Sequence, residues 1–204
     1  MKMSWTTTAV LCLGALAAGG AMAQAAVNQP APAFSVQDAS GRTVSLGDYK
    51  GKHVVLEWVN PGCPFVQKHY NSGNMPATQK DAVAKGVVWL SVSSTAKDAS
   101  DYKSPADLAA WQKSVSAVPT ATLMDTDGKV GKAYGARTTP HMYVIDPQGK
   151  LIYAGAIDSK PTAKVDDIKG ATNYVGQALN EALAGKPVSQ ASTTPYGCSV
   201  KYAT

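Results

Sequence analysis

The stretch HVVLEWVNPGCPFVQKHY, residues 53–70, decides the fold. Residues 53–59 form a dense apolar run of strand length, the pattern of a strand buried on both faces. After Asn60, Pro61 and Gly62 the period changes. Pro64 suits the first turn of a helix, where no amide donor is needed, and a helical stretch follows. Cys63 therefore falls where a central strand ends and a helix begins.

Outward from this unit, the helical stretch breaks at NSGNMP and resumes from Pro76 to a stop at Gly86. VVWLSVS, residues 87–93, reads as a second buried strand. Pro105 opens a helix in which Leu108, Trp111 and Val115 share an apolar face. A short strand, ATLMD, leads through a DTDG turn into the weakly helical KVGKAYGA. MYVID and LIYAGA, joined through Pro147 and Gly149, read as an antiparallel hairpin. A last helix is expected over 165–183, with Ile168, Ala171, Val175, Leu179 and Ala182 on one face and Gly185 as terminator. At the other end, FSVQDASGRTVSL alternates about a Ser40-Gly41 turn and predicts a further hairpin. Strands and helices that alternate and then close on a hairpin and a helix imply an α/β domain. Its sheet would be mixed but mainly parallel, with an antiparallel edge hairpin and helices on both faces.

The first 23 residues carry Lys2, an apolar run from about Ala9 to Ala18, and Ala21-Met22-Ala23. That is the layout of a secretory leader cleaved before Gln24, its run shorter than a membrane span. Its loss leaves 181 of the 204 residues, enough for one domain. They divide into a loosely attached Pro- and Ala-rich lead-in at 24–33, a domain at 34–186 and a flexible tail at 187–204 that carries Cys198. A periplasmic or secreted location follows, without membrane association after cleavage. The formal charge is +5, its lysines are dispersed, and only Arg42 and Arg137 are arginines, which argues against a nucleic-acid partner.

Once Cys12 leaves with the leader, two cysteines remain, Cys63 and Cys198. In an exported chain they can form one structural disulfide. Yet Cys63 sits where helix amides and the helix dipole favour an anion, which lowers a thiol's pKa from its usual value of about 8.5 and makes it a nucleophile.

The motifs LEWVNPGCPFV and GARTTPHMYVIDPQGKLIYAG, with the tail PYGCSVKY, resemble the thioredoxin-like superfamily. Within it the likeness is to peroxiredoxin-like redoxins of the alkyl hydroperoxide reductase and thiol-specific antioxidant type. The resemblance implies a thioredoxin-like fold and a thiol-based oxidoreductase that uses no organic cofactor and no metal. It makes Pro140, after Thr139, a cis-proline facing the active cysteine, where backbone groups hold an extended partner chain. Glu57 matches a buried acid that moves protons near the thiol, the alternative being a carboxylate turned to solvent. Arg137 either stabilises the thiolate or is a surface loop residue.

The chain also departs from these patterns. Val66 stands where CxxC needs its second thiol, and Leu56 and Asn60 stand at the first two positions of PxxxTxxC. Asn60 either bonds a peroxide or caps the helix. Resolution of an oxidised Cys63 then turns to Cys198, with a permanent bridge or an intermolecular pairing as alternatives. Expected partners are a peroxide or disulfide substrate and a reducing thiol protein. A rival reading is a copper chaperone using Cys63 and His141, with His69 and Met75 as further ligand types, although Gln67 occupies the second place of a CxxxC pair. A redox-inert interaction domain is the third.

Overall fold

The computed structural model describes residues 24–203; the leader expected at 1–23 lies outside them. A hairpin, β1 (Ser35–Gln37) and β2 (Thr43–Ser45), precedes the core. The order is then β3 (Val54–Trp58), α1 (Pro64–Asn71), α2 (Asn74–Ala84), β4 (Val88–Ser93), α3 (Pro105–Ser114), β5 (Ala121–Met124) and α4 (Lys129–Tyr134). There follow β6 (Thr138–Thr139), β7 (His141–Ile145), β8 (Leu151–Gly155), α5 (Tyr174–Leu183) and β9 (Cys198–Ser199).

Five strands make the central sheet in the order β5-β4-β3-β7-β8. The first three run parallel, and β7 and β8 are antiparallel. All five residues of β3 are buried, as its unbroken apolar run requires. Alternation along β3 divides the core in two. Leu56 and Trp58 face the hairpin and α4, with Phe34, Val130 and Tyr134. Val55 and Val59 face the opposite layer, with Cys63, Val66 and Tyr70 of the α1 unit, Met75 of α2 and Val175 of α5.

Three expectations need correction. Residues 165–183 are not one helix: a 3₁₀ segment, Val165–Gly170, precedes α5. The break is made by Asn173, whose side chain accepts from the Gly176 amide at 2.9 Å and caps α5, while Thr172 and Asn173 are drawn against Ser159 and Asp158. The lead-in is bound rather than loose. Asn28 donates to the Leu151 carbonyl at 2.8 Å, Leu151 donates to Gln29 at 2.9 Å, and Ala31 donates to Gly149 at 2.9 Å, so it covers the outer edge of β8. The tail is also held along its length. Ala154 donates to Ala191 at 3.1 Å, Val200 donates to Arg137 at 3.0 Å, and Ala96 donates to Lys201 at 2.7 Å.

Candidate active site

Cys63 is the N-cap of α1, with Pro64 in the first turn, as the sequence predicts. The preceding loop is pinned by Asn60, whose Oδ1 accepts from the Gly62 amide at 2.8 Å. Its Nδ2 donates to Thr95 at 3.1 Å and to Asp101 at 3.0 Å. The Cys63 amide donates to the Asn60 carbonyl at 3.0 Å. Asn60 thus shapes the cysteine turn, and its amide is committed there rather than pointing at the sulfur. The Cys63 side chain does not cap the helix, and the residue is only 2% exposed.

The Thr139–Pro140 bond is cis, as the resemblance implies. It brings the Thr139 carbonyl oxygen to 3.0 Å from Cys63 Sγ. On the far side of this point lies the tail: β9 pairs antiparallel with β6, Thr138 opposite Ser199 and Thr139 opposite Cys198. Cys198 forms a disulfide with Cys63 across 135 residues of chain, their Cα atoms 5.9 Å apart. The Cys198 amide nitrogen lies 3.4 Å from Cys63 Sγ. Gly197, at φ 140°, is required by close approach, because a Cβ there would run into the Thr139 carbonyl.

Glu57 lies on the same side of the sheet as Cys63 and is fully buried, so it is not the solvent-facing carboxylate that pattern alone allowed. It accepts from Tyr70 Oη at 2.7 Å, Trp89 Nε1 at 2.7 Å and Gln79 Nε2 at 3.0 Å. Burial raises its pKa above the usual carboxylate range, and these donors oppose the rise. Tyr70 links it to α1, the helix that Cys63 opens.

Arg137 is exposed, and its guanidinium makes no hydrogen bond or ion pair among the described residues. Its backbone contributes instead, the carbonyl receiving Val200 and the amide reaching His141 Nδ1 at 3.3 Å. His141 stacks on Tyr143, on the opposite face of the sheet from Cys63. Burial, and then the charge of Arg137, lowers its pKa to about 3. The proposed copper partners therefore do not converge. His69 bonds Asn74 at 2.8 Å and Met75 is packed in the core. Among the described residues no cluster of three His, Cys, Asp or Glu side chains is arranged to hold a metal ion.

Sequence reasoning missed one constellation beside the sulfurs. Lys68 and Asp158, both buried, stand 3.5 Å apart, and Lys68 Nζ also donates to the Lys160 carbonyl at 2.8 Å. Tyr196, two residues before Cys198, lays its ring against Phe65 and beneath Lys68 Nζ, 5.6 Å from the ring centre. Its hydroxyl bonds Asp158 Oδ1 and meets His69 Nε2 at 3.2 Å. Burial lowers the His69 pKa to about 4, so the ring is neutral at pH 7. The only hint in the sequence was a Lys-His pair inside an apolar helix.

Residues 27–154 match the AhpC/TSA family. The chain belongs to that family. With a cysteine pair at the cis-proline, it is a thiol-based oxidoreductase. Thiol-disulfide oxidoreductase ResA of Bacillus subtilis is 28% identical over 122 residues, 60% of this chain, and the match spans 63% of that relative's length. A conserved protein of Geobacillus kaustophilus superposes at a TM-score of 0.73 with 26% identity, covering 87% of this chain and 93% of its own. The thioredoxin domain of a Bacteroides vulgatus thiol-disulfide oxidoreductase superposes at 0.51 with 25% identity, covering 71% and 96%. The fold is accordingly thioredoxin-like. The family match ends at Ala154, so α5, the tail and Cys198 lie beyond it.

Proposed function

We propose that this chain is an exported thiol–disulfide oxidoreductase in which Cys63 is the attacking thiol and Cys198, on β9, resolves the intermediate. The observation that carries this reading is that the tail sets its cysteine opposite Thr139, the residue before the cis-proline, and bonds it to Cys63. A staple could have joined any two points; this one occupies the reactive turn.

In the reduced chain, Cys63 thiolate attacks one sulfur of a substrate disulfide, whose other sulfur departs as a thiolate. Cys198 thiolate then attacks Cys63, releasing the second substrate thiolate and leaving the Cys63–Cys198 bond. Two electrons pass to the substrate. A reducing thiol protein restores the chain, and accessibility directs its attack to Cys198, which is half-buried, rather than to Cys63 at 2% exposure. The leaving group is then Cys63 thiolate, favoured by the α1 amides and by the Cys198 N–H.

Disulfides fit the site better than peroxides. The Asn60 amide is engaged by Thr95, Asp101 and Gly62, and the Arg137 guanidinium is exposed, so neither is aimed at an oxygen on Cys63. Export agrees with the disulfide and with the leader pattern. No helix among the described residues is long and apolar enough to cross a membrane.

The deciding experiment reduces the full chain and mixes it with stoichiometric oxidised glutathione or hydrogen peroxide, following each cysteine by mass spectrometry. Faster formation of the Cys63–Cys198 bond with glutathione disulfide supports the reading, and faster formation with peroxide makes the chain a peroxidase. A reduction potential well below about −300 mV would mark the bond as structural and sink both.

A further inference from the structure

The tail occupies a slot that reduced Cys63 must open to a substrate, and the way it occupies the slot describes what fits there. Three features of the occupant are tied to three features of the slot. The cysteine backbone pairs with Thr139. The residue before it is a glycine, because a Cβ would collide with the Thr139 carbonyl. The residue before that is a tyrosine, enclosed by Phe65, Lys68, His69 and Asp158.

The tyrosine seat has chemical selectivity of its own. Asn74 Nδ2 donates to His69 Nδ1, so in the neutral ring Nε2 carries the proton and donates to the Tyr196 oxygen. The Tyr196 hydroxyl in turn donates to Asp158 Oδ1, which also receives the Lys160 amide at 2.9 Å. When the tail leaves, His69 Nε2 loses its partner and an apolar face of Phe65 is uncovered. A phenol restores both; phenylalanine restores only the face; alanine restores neither.

We propose that the slot filled by β9 is a polypeptide-binding site selective for extended segments of the form Tyr-Gly-Cys, bound antiparallel to Thr138–Thr139 with the tyrosine in the seat on α1. This rests on the preceding reading that Cys63 is the attacking thiol. The substrate segment and the tail then take turns in one slot. The substrate's cysteine enters as half of a disulfide, Cys63 displaces its partner sulfur as a thiolate, and the returning tail expels the substrate cysteine as a thiolate while Cys198 bonds Cys63.

The test uses the reduced full chain carrying Cys198→Ser and the peptide Thr-Pro-Tyr-Gly-Cys-Ser-Val, activated as a mixed disulfide with 5-thio-2-nitrobenzoate. Cys63 thiolate attacks the peptide sulfur and the nitrobenzoate thiolate leaves, giving an absorbance change. Three companion peptides carry phenylalanine or alanine for the tyrosine, or alanine for the glycine. Each alanine peptide is expected to react at least tenfold more slowly than the parent, and the phenylalanine peptide severalfold more slowly. Because the chain's own tail competes, Cys198→Ser/Tyr196→Ala should react faster with all four while keeping their order. Rates within twofold of one another in both proteins would overturn the selectivity. The symmetrical nitrobenzoate disulfide separates the two failures. If it reacts rapidly with Cys63 while the peptides are not distinguished, only the subsite is lost. If it reacts with Cys63 only after unfolding in urea, the attacking-thiol reading is lost with it.

Discussion

The two cysteines sit in segments built by opposite rules. The Cys63 segment is local: an apolar strand, an Asn-Pro-Gly turn and a proline-started helix each follow from neighbours within a few residues. The Cys198 segment has almost no conformation of its own. Its strand is two residues long, and it is held by what it lands on: the Thr139 backbone, the seat for Tyr196, and a shallow site where Tyr202 lies over Gly128 and Gly131 with its hydroxyl on the Ala136 carbonyl. On the function proposed above, one segment would supply a rigid nucleophile and the other a detachable partner, so that a one-cysteine turn does two-cysteine chemistry without a second thiol in the helix.

The comparison is broken most completely by removing each sulfur in turn. Cys63→Ser should lower the rate of exchange with a model disulfide by at least about 10³, since no other described cysteine lies at a helix start. Cys198→Ser should keep the first step and lose the second, so that a stoichiometric Cys63 mixed disulfide accumulates and is visible as an added mass. Equal loss in the two variants at the first step would remove the division of labour. A smaller effect is expected of Gly197→Ala, which sets a methyl group against the Thr139 carbonyl and must push β9 off β6. The Cys63–Cys198 bond should become about tenfold easier to reduce in a glutathione titration. An unchanged equilibrium would mean that strand pairing contributes nothing to closing the bond.

That same contrast governs what could be read in advance. The strand–turn–helix around Cys63, the β7–β8 hairpin and α3 were legible because apolar period, Pro and Gly placement act over short distances. The cis-proline was legible only through resemblance, as nothing local in TTP distinguishes it from an ordinary loop. The single helix expected over 165–183 failed because apolar spacing continued across a segment where Asn173 caps a new helix and pairs with Asp158. The lead-in and tail were read as loose because their order comes from hydrogen bonds to β8 and β6, and such partners are invisible to composition. The two readings of Arg137, at the thiolate or on the surface, were not separable in advance, because position three residues before a proline does not say which way a side chain points; the residue is exposed. The seat of Tyr196 joins residues from α1, the loop after β8 and the tail, a triple meeting that no single spacing encodes.

The Tyr202 anchor gives a further, smaller test. Tyr202→Ala empties the site over Gly128 and Gly131 and removes the hydroxyl bond to Ala136. A loss of about 2 kcal/mol is expected in urea unfolding of the oxidised chain, for a half-buried aromatic with one hydrogen bond. If the tail detaches on reduction, the reduced chain should show a much smaller loss. Equal losses in both redox states would mean that the tail stays seated when its disulfide opens.

The smallest effect belongs to the rigid side of the comparison. Glu57 is held under α1 by Tyr70, Trp89 and Gln79, and burial raises its pKa in the folded chain. A folded-state pKa above the unfolded one means that the native state binds the proton more tightly, so its contribution to stability is full below the unfolded value, about 4.3, and is lost as pH rises through the folded value. Glu57→Gln cannot ionise and does not show this loss. It carries its own cost, on the order of 1–3 kcal/mol, because an amide nitrogen is turned against the Trp89 or Tyr70 donor. The stability gap between parent and variant should therefore be widest near pH 4 and narrow as pH rises, measured by urea unfolding of the oxidised chains. A gap that widened with pH would mean that the carboxylate is stabilised by its hydrogen-bond donors more than burial penalises it, and that the folded pKa lies below the unfolded one. Because Tyr202 lies over α4, on the opposite face of the sheet from Glu57, the same profile should be found in the Tyr202→Ala background. A profile that changed there would show that the rigid and detachable segments are coupled through α1.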